Sequence, residues 1–167
     1  MTMGNRLRSD RHLLLATAAI AFASAATAVL AHSPAMHEHP DFGEPGDPLK
    51  PARTVEIAMR EDGARMLFVP NHVEVRKGEQ IRFVLTNEGM VNHEFVIGTQ
   101  NQIKEHAKVM KKHPHMEHQD AHSRTLGMYG SDELIWRFTK AGRFVFACLI
   151  PGHLERGMSG TILVNEK

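Results

Sequence analysis

From Thr54 onward the chain alternates apolar and polar residues in short bursts, and each burst stops at a turn signal. Thr54-Val55-Glu56-Ile57-Ala58-Met59, His72-Val73-Glu74-Val75-Arg76, Gln80-Ile81-Arg82-Phe83-Val84-Leu85-Thr86 and His93-Glu94-Phe95-Val96-Ile97 carry the period of two expected of strands with one buried face. Lys77-Gly78, Asn87-Glu88-Gly89 and Gly98 close three of them, and Pro70 ends a short apolar run at 66–69. The pattern returns at 133–138, 143–147 and 160–164. Many short strands with turns between them predict an all-β sandwich.

Three segments depart from that rhythm. At 101–130 the period becomes helical: Ile103, Ala107 and Met110 recur at helix spacing, 102–112 holds no strong breaker, and Pro114 ends it. One helix followed by an irregular loop is expected there, with Lys111 and Lys112 complementing the helix dipole. Residues 32–52 hold five prolines with Gly43 and Gly46, which predicts a flexible tail before a domain at 53–167. Residues 1–31 place Arg6, Arg8 and Arg11 before an Ala- and Leu-rich run, the layout of a cleaved signal peptide. An uncleaved anchor is the alternative, because the run approaches bilayer-spanning length. The arginines are not paired as a twin-Arg signal requires, so a Sec-type route to the periplasm is expected.

Charge changes the picture little. Lys+Arg total 20 against Asp+Glu 19, and no basic stripe points to nucleic acid. The chain carries 12 His and 10 Met, and they cluster. It has a single cysteine, Cys148, so no internal disulfide forms. A lone thiol in an exported protein is a reactive group, an intermolecular bridge or a metal ligand.

Cys148-Leu149-Ile150-Pro151-Gly152-His153-Leu154-Glu155-Arg156-Gly157-Met158 puts a thiol, an imidazole and a thioether on one short connection between two strands. With His93 from an earlier strand, the set is His93, Cys148, His153 and Met158. A thiolate, two imidazoles and a weak axial thioether make a type 1 copper site. Taken singly, each residue has a plainer use: a buried small residue, a surface histidine, a core methionine. Their order together points to copper, and zinc, the rival metal, does not call for Met. Pro151 and Gly152 suit the tight path into His153, and Gly157 and Gly160 flank Met158.

The segment Phe146-Ala147-Cys148-Leu149-Ile150-Pro151-Gly152-His153, with Gly157-Met158 and Gly160-Thr161-Ile162-Leu163-Val164, resembles the C-terminal copper loop of cupredoxins, nearest in form to rusticyanin-like and auracyanin-like members. Likeness is greatest to periplasmic cupredoxins of bacterial copper tolerance, through Gly43-Glu44-Pro45-Gly46-Asp47, His93-Glu94-Phe95 and the helix with Glu105-His106-Ala107 and Met110. The resemblance implies a Greek-key β-sandwich or barrel, one type 1 copper and a part in copper homeostasis. It also marks a departure. Many electron carriers of the family have Asn or Ser after the first His ligand, where this chain has Glu94.

A second copper-collecting surface is a further expectation. Its candidates are His106, Met110, His113, His115, Met116, His118 and His122 in the insertion, with His32, Met36, His37 and His39 in the tail. His-rich tracts bind metals, and imidazole and thioether suit Cu(II) and Cu(I) respectively. Three functions follow: a periplasmic copper-tolerance protein, a soluble periplasmic electron carrier, or, less favoured, a cuprous oxidase. The expected partners are a redox protein or copper-handling proteins of the periplasm. Nucleic acid and stable membrane insertion after signal removal are not expected.

Overall fold

The structure, a computed structural model, describes residue 1 and residues 40–114 and 120–167. The segment expected to be a signal peptide, beyond Met1, the residues His32, Met36, His37 and His39 of the expected tail, and the insertion residues His115, Met116 and His118 lie outside the described residues. The chain divides into two units, 1–36 and 37–167, and the description concerns the second.

Among its described residues this unit has ten strands and one helix: β1 (Gly43–Pro45), β2 (Arg53–Asp62), β3 (Arg65–Val69), β4 (His72–Arg76), β5 (Gln80–Asn87), β6 (His93–Gly98), α1 (Gln100–Lys112), β7 (Ser123–Leu126), β8 (Ser131–Phe138), β9 (Gly142–Ala147) and β10 (Ser159–Asn165). They make two five-stranded sheets, in the orders β1-β8-β5-β2-β3 and β4-β10-β9-β6-β7. β2 and β5 pair in parallel, as do β10 and β4, and the remaining pairs are antiparallel. The alternation in the sequence is the inside–outside alternation of these strands. Ile81, Phe83 and Leu85 of β5, Leu134, Trp136 and Phe138 of β8, and Ile162 and Val164 of β10 are buried between the sheets. Aromatic rings dominate the interior: Phe95 lies 5.1 Å from Phe146 and 5.3 Å from Phe83, centroid to centroid. Each sheet hides one apolar face against the other, which is the main stabilising effect.

β6 is buried on both faces. Phe95 and Ile97 join the inter-sheet core, while Val96 packs outward in a second apolar cluster with Ile103, Met110, Ala147 and Leu149. The helix supplies the cover. Thr99 caps it reciprocally: its Oγ1 accepts from the Gln102 N–H at 3.2 Å, and Gln102 Oε1 accepts from the Thr99 N–H at 2.8 Å. The expected spacing holds, with Ile103 and Met110 buried on the inner face.

Two elements differ from the sequence reading. The segment read as tail enters the fold at Phe42, which is fully buried against Trp136 (5.6 Å) and Phe144 (5.0 Å). Its neighbour β1 then pairs with β8. Pro45 ends a three-residue edge strand, where its missing N–H is tolerated. Gly43 is required because a Cβ there would lie 2.2 Å from Trp136 Nε1. The loop expected after the helix contains β7, which pairs with β6.

Phe42 and Leu49 are both apolar residues of the segment read as flexible, yet Leu49 is 93% exposed. Phe42→Ala is expected to lower unfolding free energy by about 3–5 kcal/mol through the cavity it leaves. Leu49→Ala should change it by no more than about 0.5 kcal/mol. Urea denaturation of the two variants measures the difference, and equal effects would place Phe42 outside the core.

Candidate metal centre

The centre forms where the start of β6 meets the loop joining β9 to β10. Side chains alternate along β6, so His93 shares the inward side with Phe95 and Ile97, and Glu94 shares the outward side with Val96. The loop leaves β9 after Ala147, which pairs with Ser159 at the start of β10. Its two ends are therefore adjacent, and the Cys148 N–H donates to the Met158 carbonyl at 3.1 Å. Between them the chain winds through tight turns. The N–H groups of Arg156 and Met158 both reach the His153 carbonyl at 3.1 Å, and His153 donates to Ile150 at 3.0 Å. Gly152 and Gly157 sit at φ +91° and +95°, where a side chain would be strained.

The two segments are joined by hydrogen bonds. The Glu94 N–H donates to Cys148 Sγ at 3.3 Å, and the Leu149 N–H donates to Glu94 Oε2 at 3.3 Å. His153 Nδ1 lies 3.3 Å from Cys148 Sγ. The His93 and His153 rings stand 5.2 Å apart, edge to face. One ligand atom from each of His93, Cys148 and His153 falls within 4.8 Å of the others, the only such group among the described residues. His93, Cys148 and Met158 are fully buried, and His153 is half-buried. Three of the four sequence-predicted ligands, His93, Cys148 and His153, thus come together, and Met158 meets Cys148 through its backbone carbonyl.

Burial governs the electrostatics. It pushes the Cys148 thiol up to about 12 and the Glu94 carboxyl up to about 7, the latter against the opposing hydrogen bond from Leu149. Burial, then His93 and Arg156, hold His153 below its ordinary value and so favour the neutral ring, which has a free lone pair. The residues fit a copper ion. His93 Nδ1 is buried without a hydrogen-bond partner, an arrangement that ordinarily costs stability. A thiol, two imidazoles and a thioether form a soft donor set that suits copper better than a harder ion.

Two organising residues were not anticipated from the sequence. Glu61, near the end of β2, brings Oε1 to 2.7 Å from His93 Nε2, and its Oε2 accepts from the Met90 N–H at 3.0 Å. The Met90 hydrogen bond chiefly holds the Glu61 carboxyl below its usual range, helped by His93. Asn87 is buried and pins the chain ahead of His93: its Nδ2 donates to the carbonyls of Val91 (2.8 Å) and Gly127 (2.9 Å), and its Oδ1 accepts from Gly89 (2.8 Å). Glu61 is remote in sequence and carries no motif. Asn87 lies in a recognisable turn, but its bonds to the chain after β7 were not readable.

Of the seven insertion residues expected to form a second copper surface, the described residues include His106, Met110, His113 and His122. Met110 is packed into the apolar cluster beneath α1, because its place on the helix coincides with the buried face. His122 stacks edge-on near Trp136 (6.0 Å) and Phe42 (6.5 Å). Its carbonyl accepts from Ile97, four positions along β6 from His93, or roughly 13 Å at about 3.3 Å per residue. His106 is half-buried on α1, and His113 is exposed at the helix end.

Comparison with known proteins agrees with this geometry. The model for copper binding proteins of the plastocyanin/azurin family matches residues 55–165. The copper-resistant cuproprotein CopI of Rubrivivax gelatinosus is 42% identical over 170 residues, covering 97% of this chain and 99% of its own length. The protein of the same name from Pseudomonas aeruginosa is 33% identical over 174 residues, with 87% and 91% covered. The dithionite-reduced auracyanin of Roseiflexus castenholzii superposes with a TM-score of 0.57 at 23% identity, over 70% of this chain and 99% of its own, a likeness of fold. Since the family match runs from inside β2 to the end of β10, through both halves of the His93–Cys148–His153 pocket, the chain belongs to the plastocyanin/azurin family of copper-binding proteins.

Proposed function

We propose that this protein is exported to the periplasm and serves copper tolerance there, holding one type 1 copper on His93, Cys148, His153 and Met158. The observation that carries the reading is His93, wholly buried beside the chain's single thiol with one ring nitrogen lacking a protein partner. Copper bound there supplies a one-electron Cu(II)/Cu(I) couple. Two imidazoles and the Cys148 sulfur would provide the strong donors, and the Met158 thioether a weak one. The backbone bond from Cys148 to Met158 and the Glu94 contacts tie the ends of the loop together and to β6, which would limit rearrangement between oxidation states. His153, half-buried, is the most solvent-accessible of the four and is the natural route for an electron.

The similarity to two copper-resistant cuproproteins supports the role in tolerance. The basic and then apolar start of the chain supports export. His106 and His113, two helical turns apart and leading into the tract at 115–118, are assigned to collecting further copper. The partner is a redox or copper-handling protein of the periplasm. A second reading, a soluble electron carrier, is favoured by exposed apolar residues. Met90 and Val91 precede β6, Met128 and Tyr129 follow β7, and these strands pair His93 with Leu126, so both groups sit toward the His93 end.

Three outcomes test these readings. The Cu(II) protein is expected to show intense visible absorption from thiolate-to-copper charge transfer. Cys148→Ser should abolish it while circular dichroism stays unchanged; a coloured variant would refute Cys148 as ligand. Met158→Leu should retain copper but shift the reduction potential, and an unshifted potential would remove Met158 from the set. A strain lacking the gene should lose growth across a copper series and regain it with the wild-type chain but not with Cys148→Ser. Undiminished growth would favour the electron-carrier reading.

A further inference from the structure

We infer that Glu61 is a positioning residue for the metal centre: its carboxylate fixes the tautomer of His93 and biases the site toward Cu(II). The inference rests on the ligand assignment proposed above. Glu61 Oε1 meets His93 Nε2 at 2.7 Å, and its other oxygen accepts the Met90 N–H at 3.0 Å. The carboxylate is therefore anchored on both oxygens and stays in place although Glu61 is 26% exposed. Room for it is built into the chain. A Cβ on Gly89 would lie 2.2 Å from Oε1, 2.6 Å from Cδ and 2.7 Å from Oε2, so any residue but glycine there expels the carboxylate.

The chemistry follows from the ring. An ionised carboxylate accepts hydrogen bonds and cannot donate them, so Nε2 carries the proton. Nδ1, buried and without a protein partner, then keeps its lone pair for the metal. A carboxylate behind a metal-bound imidazole orients the ring and strengthens it as a donor. Its negative charge stabilises the higher oxidation state more than the lower. The hydrogen bond is charge-assisted, hence stronger than one to a neutral carbonyl.

Two substitutions separate charge from placement. Glu61→Gln keeps the shape and an acceptor oxygen but removes the charge. Gly89→Ala keeps the charge but displaces it. Both are expected to retain the visible colour while lowering the Cu(II)-to-Cu(I) affinity ratio about tenfold, a rise in potential of about 59 mV for a one-electron couple. Glu88→Gln is the control. This neighbouring carboxylate pairs with Arg60 at 3.2 Å, and its loss should leave the potential unchanged. A readout independent of redox is the nitrogen NMR spectrum of the His93 ring in the copper-free protein. The wild type should show a single Nε2-protonated tautomer, and Glu61→Gln a mixture. A Glu61→Gln protein that is coloured, with the wild-type potential and tautomer, overturns the inference and leaves the ligand assignment standing. A wild-type chain that stays colourless with copper overturns both.

Discussion

The centre depends on one hydrogen bond that crosses from strand to loop, the 3.3 Å contact from the Glu94 N–H to Cys148 Sγ. It ties the strand that carries His93 to the loop that carries the other three candidate ligands. The side chain of the same residue reaches back to the Leu149 N–H. Glu94 thus clasps two consecutive residues of the loop. The resemblance to electron carriers implies an Asn or Ser beside the first histidine, and here a buried carboxyl makes the tie to the loop. The substitution has an electrostatic consequence. Burial raises the Glu94 carboxyl to about 7, so an ionisable group lies within hydrogen-bond reach of the loop that a neutral amide or hydroxyl would not supply.

Rigidity comes from both faces of β6. Inside, Phe95 is wedged among Phe68, Phe83 and Phe146. Outside, α1 covers Val96 and, through the same apolar cluster, Ala147 and Leu149 beside Cys148. Leu154 of the loop packs against this cluster as well. The helix therefore braces the metal loop from behind, which gives the insertion a structural part quite apart from its histidines. Met110 illustrates the point: its thioether fills the space beneath the helix, as a flexible apolar side chain does well.

Much of this was legible in the chain because period and position are local signals. Alternation revealed β2, β4, β5, β6 and the C-terminal strands, and the spacing of Ile103, Ala107 and Met110 revealed the helix. The candidate ligands were legible for a different reason, since three of them share eleven residues between two strands. β1 and β7 were hidden because they are short edge strands whose pairing partners, β8 and β6, decide their conformation. Phe42 looked like part of a Pro- and Gly-rich tail, and only the cavity beside Trp136 and Phe144 explains it. Glu61 was invisible for the same cause: it acts on His93 across 32 residues, through a space left by Gly89.

The charges around the site follow a single constraint, that a buried charge needs a partner. The Cys148 thiol, held up to about 12 by its surroundings, adds no charge to the interior while it keeps its proton. A metal cation bound there would displace that proton, and thiolate and cation would neutralise each other in part. A divalent ion leaves one positive charge over, and the Glu61 carboxylate stands behind His93 to balance it. With a monovalent ion the thiolate alone suffices, and the same carboxylate becomes surplus negative charge. The arrangement is closer to neutral with the divalent ion, so the placement of one acidic side chain at the rim selects between oxidation states without touching the metal. His153, whose charged form is disfavoured chiefly by burial, adds nothing to this balance, which leaves its ring free to serve as the more accessible donor.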